Sequence, residues 1–205
     1  YVTVDFHQVG NNDPFVYRTD DYGESWTTIS ENVPRSVFSY ARVIREDPTR
    51  PGLLYLGTEN ALYVSFDDGE GWMPLQGDMP HAPVYWLQVQ PHFNDLVVAT
   101  YGRGFWIFDD LSAVQQMTDE VLAQPAHLFA PRPAYRFASR EGRSSQPGDP
   151  AAGQNPTGGA SINFYLSETP RGGVTVRIET EAGQVVRTLP LANPGVGINR
   201  VSWNL

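Results

Sequence analysis

Two short acidic segments hold the residues whose types and spacing could do chemistry. Residues 19–26 read TDDYGESW and residues 65–72 read SFDDGEGW. Adjacent carboxylates beside a glycine admit three chemistries. They could share a proton as an acid–base dyad, contribute oxygens to a calcium loop, or accept the amide hydrogens of a tight turn. A calcium loop needs a bidentate Glu at its twelfth position, and counting from Asp67 that position is Asp78. A dyad is disfavoured because neighbouring strand residues point to opposite faces. The turn remains. Asp21 and Asp67 are expected to accept turn amides, Thr19 and Ser65 to open the motif, and Gly23 and Gly69 to supply a positive φ. Trp26 and Trp72 are expected to fold back and bury their rings, each contributing about 2–3 kcal/mol. These eight residues are read as structural, and no metal or cofactor is expected.

Other catalytic signatures are weak. His81, His92 and His127 have no partner at metal-ligand spacing. No GxSxG elbow occurs, so no catalytic residue is assigned.

The elements that position these residues come from internal repetition. The two acidic motifs lie 46 residues apart and share the pattern [Ser/Thr]-x-Asp-x-Gly-x-x-Trp. A degenerate third copy ends near residues 107–111: GTENALYVSFDD aligns with ATYGRGFWIFDD at an offset of 42, with Leu111 in place of Gly69. Strands are predicted at 41–46, 53–58, 61–66 and 72–75, then at 84–90, 96–100 and 105–108. Segments 1–5 and 15–19 supply two strands of a preceding repeat. Trp86 and Trp106 are expected in the core. Four short strands per repeat is the architecture of a β-propeller blade. Loops between second and third strands would then share one face, at 7–13, 59–60 and 101–104. The candidate ligand residues are Arg103, Tyr101, Glu59, Asn60, His7 and Asp13, with Asn12 beside them. Arg103 leads, because Gly102 and Gly104 let a guanidinium turn toward an anion.

A helix is predicted over 111–123 and an exit segment to 138. Residues 139–159 are rich in Gly, Pro, Ser and Gln and read as a flexible linker. Alternation returns at 160–205, with a hairpin turn at Glu181, Ala182 and Gly183. The fold class is therefore all-β: the C-terminal blades of a propeller over 1–110, then the start of an Ig-like β-sandwich. Tyr1 and Leu205 both fall in strand-like runs, so the chain is expected to be part of a longer one.

Composition narrows the partners. The net charge is −9, and all 14 basic residues are Arg. An acidic surface without basic clusters disfavours nucleic acid and anionic membranes. No apolar run reaches the roughly 18 residues needed to cross a bilayer. Cysteine is absent, which excludes disulfides and thiolate metal sites.

The two acidic motifs, VIREDP at 43–48, DLVVATYGRGFWIFDDLS at 95–112 and HLFAPRPAYRF at 127–137 resemble the bacterial sortilin-like Asp-box (BNR) repeat proteins, often labelled glycosyl hydrolase. Tyr101 departs from the His expected there. The segment from Ser161 resembles the Ig-like module of the flagellar hook-capping protein. The resemblance implies a propeller, export to an extracellular or periplasmic location, and a peptide or glycan ligand on a non-catalytic scaffold. The alternative is a piece of a glycoside hydrolase, sialidase-like or other, whose active site lies in further blades. Oligomeric state is left open.

Overall fold

The computed structural model describes residues 1–135 and 158–204. It contains 40% strand and 6% helix, in small antiparallel sheets, so the all-β expectation holds. The described residues form two compact units, Tyr1–Leu111 and Ser112–Leu205, each treated by itself below.

The first unit is three successive sheets. The first contains β1 (Val2–Val4), β2 (Phe15–Arg18) and β3 (Thr27–Thr28). The second is a four-stranded meander of β4 (Ala41–Glu46), β5 (Leu54–Thr58), β6 (Leu62–Ser65) and β7 (Met73–Pro74). The third contains β8 (Val84–Gln90), β9 (Asp95–Thr100) and β10 (Phe105–Phe108). Apart from β3, which was not expected, these are the strands predicted from periodicity, to within a residue or two at each end.

The second sheet is buried on both faces, which is why β5 reads as an unbroken apolar run. Toward the first sheet, Ile44, Leu54 and Leu56 meet Val16, Ile29 and Val33, and Trp72 closes that cluster. Toward the third sheet, β4 and β5 lie against β8. Gly57 makes this approach possible: a Cβ there would stand 2.5 Å from Val84 Cγ1 and 2.8 Å from Val43 Cγ1.

The two motif tryptophans part company. Trp72 is 7% exposed, and its Nε1 donates to the Ile29 carbonyl at 2.7 Å. Trp26 is 49% exposed and donates only to Gly23, three residues back, at 3.2 Å. The expectation that both indoles are buried is corrected for Trp26. No sheet of the described chain stands to Trp26 as the first sheet stands to Trp72. Trp86 is likewise corrected: it is 56% exposed rather than core, and its ring carries the Arg45 guanidinium 4.2 Å from the centroid.

The degenerate third copy keeps the turn but shifts a register. Asp110 has φ +62, matching Asp68 at +61 and Tyr22 at +60. Between β5 and β6, a bond from Thr58 to Ala61 encloses two residues, whereas between β9 and β10 a bond from Thr100 to Gly104 encloses three. β10 is therefore displaced by one position relative to β6: Leu54 pairs with Ser65, but Leu96 pairs with Phe108. A one-residue slip turns every side chain over. Phe105 and Ile107 share the outer face of the third sheet with Ala99 and Val97.

In the second unit the predicted single helix is two short ones, α1 (Ser112–Gln115) and α2 (Asp119–Leu122). Thr118 separates them: it is extended, and its hydroxyl accepts the Val121 amide as an N-cap. The exit segment contains a strand the sequence reading missed, β11 (Ala126–Leu128). It pairs with β12 (Ala160–Leu166), which pairs with β15 (Gly197–Trp203). Ile162, Phe164 and Leu166 are buried, and buried Asn163 is met by Arg200 Nε at 2.8 Å. β13 (Val174–Glu179) and β14 (Val185–Leu191) form the predicted hairpin, with Gly183 at φ +78. Most of the predicted linker, residues 139–157, and the end of the exit segment, residues 136–138, lie outside the described residues.

Candidate functional site

The acidic corners resolve into hydrogen-bonded turns. Asp21 Oδ1 accepts the Thr19 hydroxyl at 2.7 Å and the Ser25 amide at 2.8 Å, while Oδ2 accepts the Ser25 hydroxyl at 2.6 Å. Asp67 repeats this with the Ser65 hydroxyl and the Gly71 amide, both at 2.8 Å. The Thr19 and Ser65 hydroxyls in turn accept the Gly23 and Gly69 amides at 2.8 Å. Both glycines have the expected positive φ, +96 and +93. The Ser25 hydroxyl, then its amide and the Thr19 hydroxyl, hold the Asp21 carboxyl down to about 2. These carboxylates are occupied by their own turns. Their neighbour Asp68 faces elsewhere, to Arg18 and the Tyr1 hydroxyl, at the wall of a 320 Å³ cleft shared with Asn32 and Glu70. Asp67 and Asp68 are thus not a dyad.

The candidate loops converge through two residues that the sequence reading did not single out. β4 and β8 each carry an irregularity: the register shifts between Ala41 and Val43, and between Val84 and Trp86. The extra residues are Arg42 and Tyr85. A bulge re-aims its side chain out of the strand's alternation. Arg42 Cζ lies 4.8 Å from the Tyr85 ring centroid and 4.7 Å from that of Tyr40.

Around Arg42 the three loops close. Its Nη1 lies 2.9 Å from Asp5 Oδ2, and its Nε donates to Glu59 Oε2 at 2.9 Å. Tyr40 stacks on His7 at 4.6 Å, and Tyr85 on Tyr101 at 5.5 Å. His7 is fixed by Asp5, whose Oδ1 accepts its amide at 2.9 Å and lies 2.6 Å from Nδ1. The result is one row, His7–Tyr40–Arg42–Tyr85–Tyr101, crossing all three sheets. Burial works against the Arg42 cation, but Glu59, Tyr85 and Asp5 raise its pKa overall. Burial also opposes the Asp5 charge, yet the His7 amide and ring, with Arg42, keep its carboxyl below the usual range. Burial, then Glu59, pushes the Tyr40 phenol up.

Of the predicted ligand residues, His7, Glu59 and Tyr101 belong to this row or its ion pairs. Asn60 turns its carbonyl to His81 instead, 3.1 Å from Nδ1. Asp13 is drawn aside by Arg35 at 3.0 Å, and the Asn12 carbonyl accepts the Ser39 hydroxyl. Arg103 is exposed and makes no ion pair among the described residues. Its carbonyl accepts the Trp106 indole at 3.0 Å. Among the described residues no group of His, Asp and Glu has a metal-holding arrangement.

Chemically, the row is a half-buried cation between two carboxylates and two rings, ending in open aromatic surface. Tyr85 is 46% and Tyr101 71% exposed. Each charged group at its centre has an ion-pair partner, one guanidinium serving two carboxylates, so the row offers stacking and hydrogen bonding. In comparisons with known proteins, no family model, curated protein or solved structure matches this chain.

Proposed function

We propose that residues 1–110 are the last blades of an Asp-box β-propeller of the sortilin-like kind, followed from residue 160 by an Ig-like module. On this reading the protein is an exported, non-catalytic scaffold whose loop face binds a peptide or glycan. The observation that carries it is the pair of strand bulges at Arg42 and Tyr85. They join three loops into one surface and leave the stacked Tyr85–Tyr101 pair facing solvent. Flat aromatic faces over an ion-paired base suit sugar rings and peptide side chains alike. The motif carboxylates support the non-catalytic half of the reading, since turn donors engage both oxygens of Asp21 and Oδ1 of Asp67.

Glycan and peptide arrays probed with the protein and with Tyr101→Ala test this. A ligand whose binding falls at least about tenfold in Tyr101→Ala, with the fold retained, supports the loop face. Binding untouched by Tyr101→Ala and Tyr85→Ala rejects it. Release of reducing sugar from an arrayed glycan would favour a glycoside hydrolase instead.

A further inference from the structure

Beside the aromatic row the loop face carries an apolar anchor and a surplus of negative charge. The connection from β3 to β4, residues 29–40, runs between the first and second sheets, so both of its neighbouring sheets are in place. Near its end Val37 is 63% and Phe38 53% exposed. Hydrogen bonds fix this tip. The Ser36 hydroxyl accepts the Phe38 amide at 3.1 Å, and the Ser39 hydroxyl lies 2.8 Å from both the Ser36 and Asn12 carbonyls. Two residues after Phe38 comes Tyr40, which stacks on His7 and opens the row. At the row's centre the Arg42 guanidinium serves Asp5 and Glu59 together, at 2.9 and 2.8 Å, and neither carboxylate is closed off from solvent. With His7 neutral, one negative charge is left over there. Tyr101, stacked on Tyr85, adds an exposed ring with an electron-rich face.

We infer, resting on the loop-face reading above, that the ligand is a peptide in which a Lys or Arg stands beside apolar residues. The cation answers the surplus carboxylate charge and the tyrosine faces. The neighbouring Leu, Ile or Phe side chain answers Val37 and Phe38. A sugar gains little from that anchor, because a branched aliphatic side chain offers it neither a flat face nor a hydrogen bond. An acidic ligand is repelled at the centre of the row, and the net charge of −9 opposes its approach. Arg103, exposed on the Tyr101 loop, works in the opposite sense, so replacing it should tighten the binding of a cation. The sign of that effect reads out the sign of the ligand's charge.

The test uses the whole chain against a positional-scanning library of acetylated decapeptides and a panel of neutral, acidic and amine-bearing glycans, at about pH 8, where an imidazole is uncharged. Binders that depend on Tyr101 or Tyr85 should be peptides enriched in Lys or Arg beside Leu, Ile or Phe. For one such peptide, fluorescence anisotropy should show Phe38→Ser and Glu59→Gln each weakening binding about three- to tenfold. Arg103→Glu should tighten it, and raising salt from about 0.05 to 0.5 M should loosen it. Val37→Ser and Asp5→Asn provide a second pair should either first variant lose its far-ultraviolet circular dichroism. Tyrosine-dependent binders that are acidic peptides or glycans overturn the inference and leave the loop face standing. So does a basic peptide indifferent to both apolar substitutions or to both carboxylate substitutions. With no tyrosine-dependent binder the loop face falls, and the inference with it.

Discussion

The Trp72 indole donates its Nε1 hydrogen to the carbonyl of Ile29, 43 residues earlier in the chain. This bond ties the corner of one sheet to the strand end of the sheet before it. The same ring is covered by the apolar cluster between those sheets, so packing and hydrogen bonding act on one residue.

Trp72→Ala is therefore expected to destabilise the first unit by about 3–5 kcal/mol, in the range of large core truncations. Trp26→Ala should cost about 1–2 kcal/mol, since half of that ring is already in water. Urea unfolding of the two variants checks this. Equal midpoints would contradict the different burial of the two rings.

Gly69 and Gly23 separate backbone strain from crowding. Both have a left-handed φ, which disfavours Ala by about 1–2 kcal/mol. A Cβ on Gly69 would also stand 2.7 Å from Ile29 Cδ1, whereas one on Gly23 meets nothing closer than 3.5 Å. Gly69→Ala should accordingly lose about 1–3 kcal/mol more than Gly23→Ala. A smaller loss at position 69 would show that the seam around Ile29 yields easily.

Asp21 should report on its turn through acid titration. Its carboxyl is held at about 2 by the Ser25 hydroxyl and amide and the Thr19 hydroxyl. Because the folded value lies below the unfolded one, its contribution is fully present above about pH 4. It fades as the pH falls through about 2. Carboxyl-carbon NMR should give a midpoint near the folded value, and Ser25→Ala should raise it. A Ser25→Ala midpoint identical to wild type would remove that hydroxyl as the main cause.

Arg42→Ala leaves Asp5 and Glu59 facing one another with no cation between them. The expected loss is about 1–3 kcal/mol, below that of a fully buried pair because the site is partly open. Arg42→Lys should recover only part of it, since an ammonium lacks the planar fork that meets two carboxylates and two rings together. Full recovery by Lys would mean that charge alone matters there. Thermal melts of the three proteins decide.

Strand positions and the two acidic corners were legible because they rest on local rules: alternation, Pro and Gly breaks, and a glycine where φ is positive. What escaped depends on neighbours. TDDYGESW and SFDDGEGW look alike, yet one tryptophan has a sheet to lean on and the other does not. Arg42 escaped because nothing in ARVIRE announces a bulge. Arg103, flanked by glycines, drew attention that the geometry gives to Arg42. The β10 register turned on a loop one residue longer, which a gapless alignment conceals. β11 is three residues long and shows no alternation of its own; pairing with β12 defines it.

The Ile29–Trp72 bond also sets an order in time. A ribosome releases residue 29 well before residue 72, and at about 5–20 residues per second the interval is roughly 2–9 s. For those seconds the first sheet's greasy side waits without its lock.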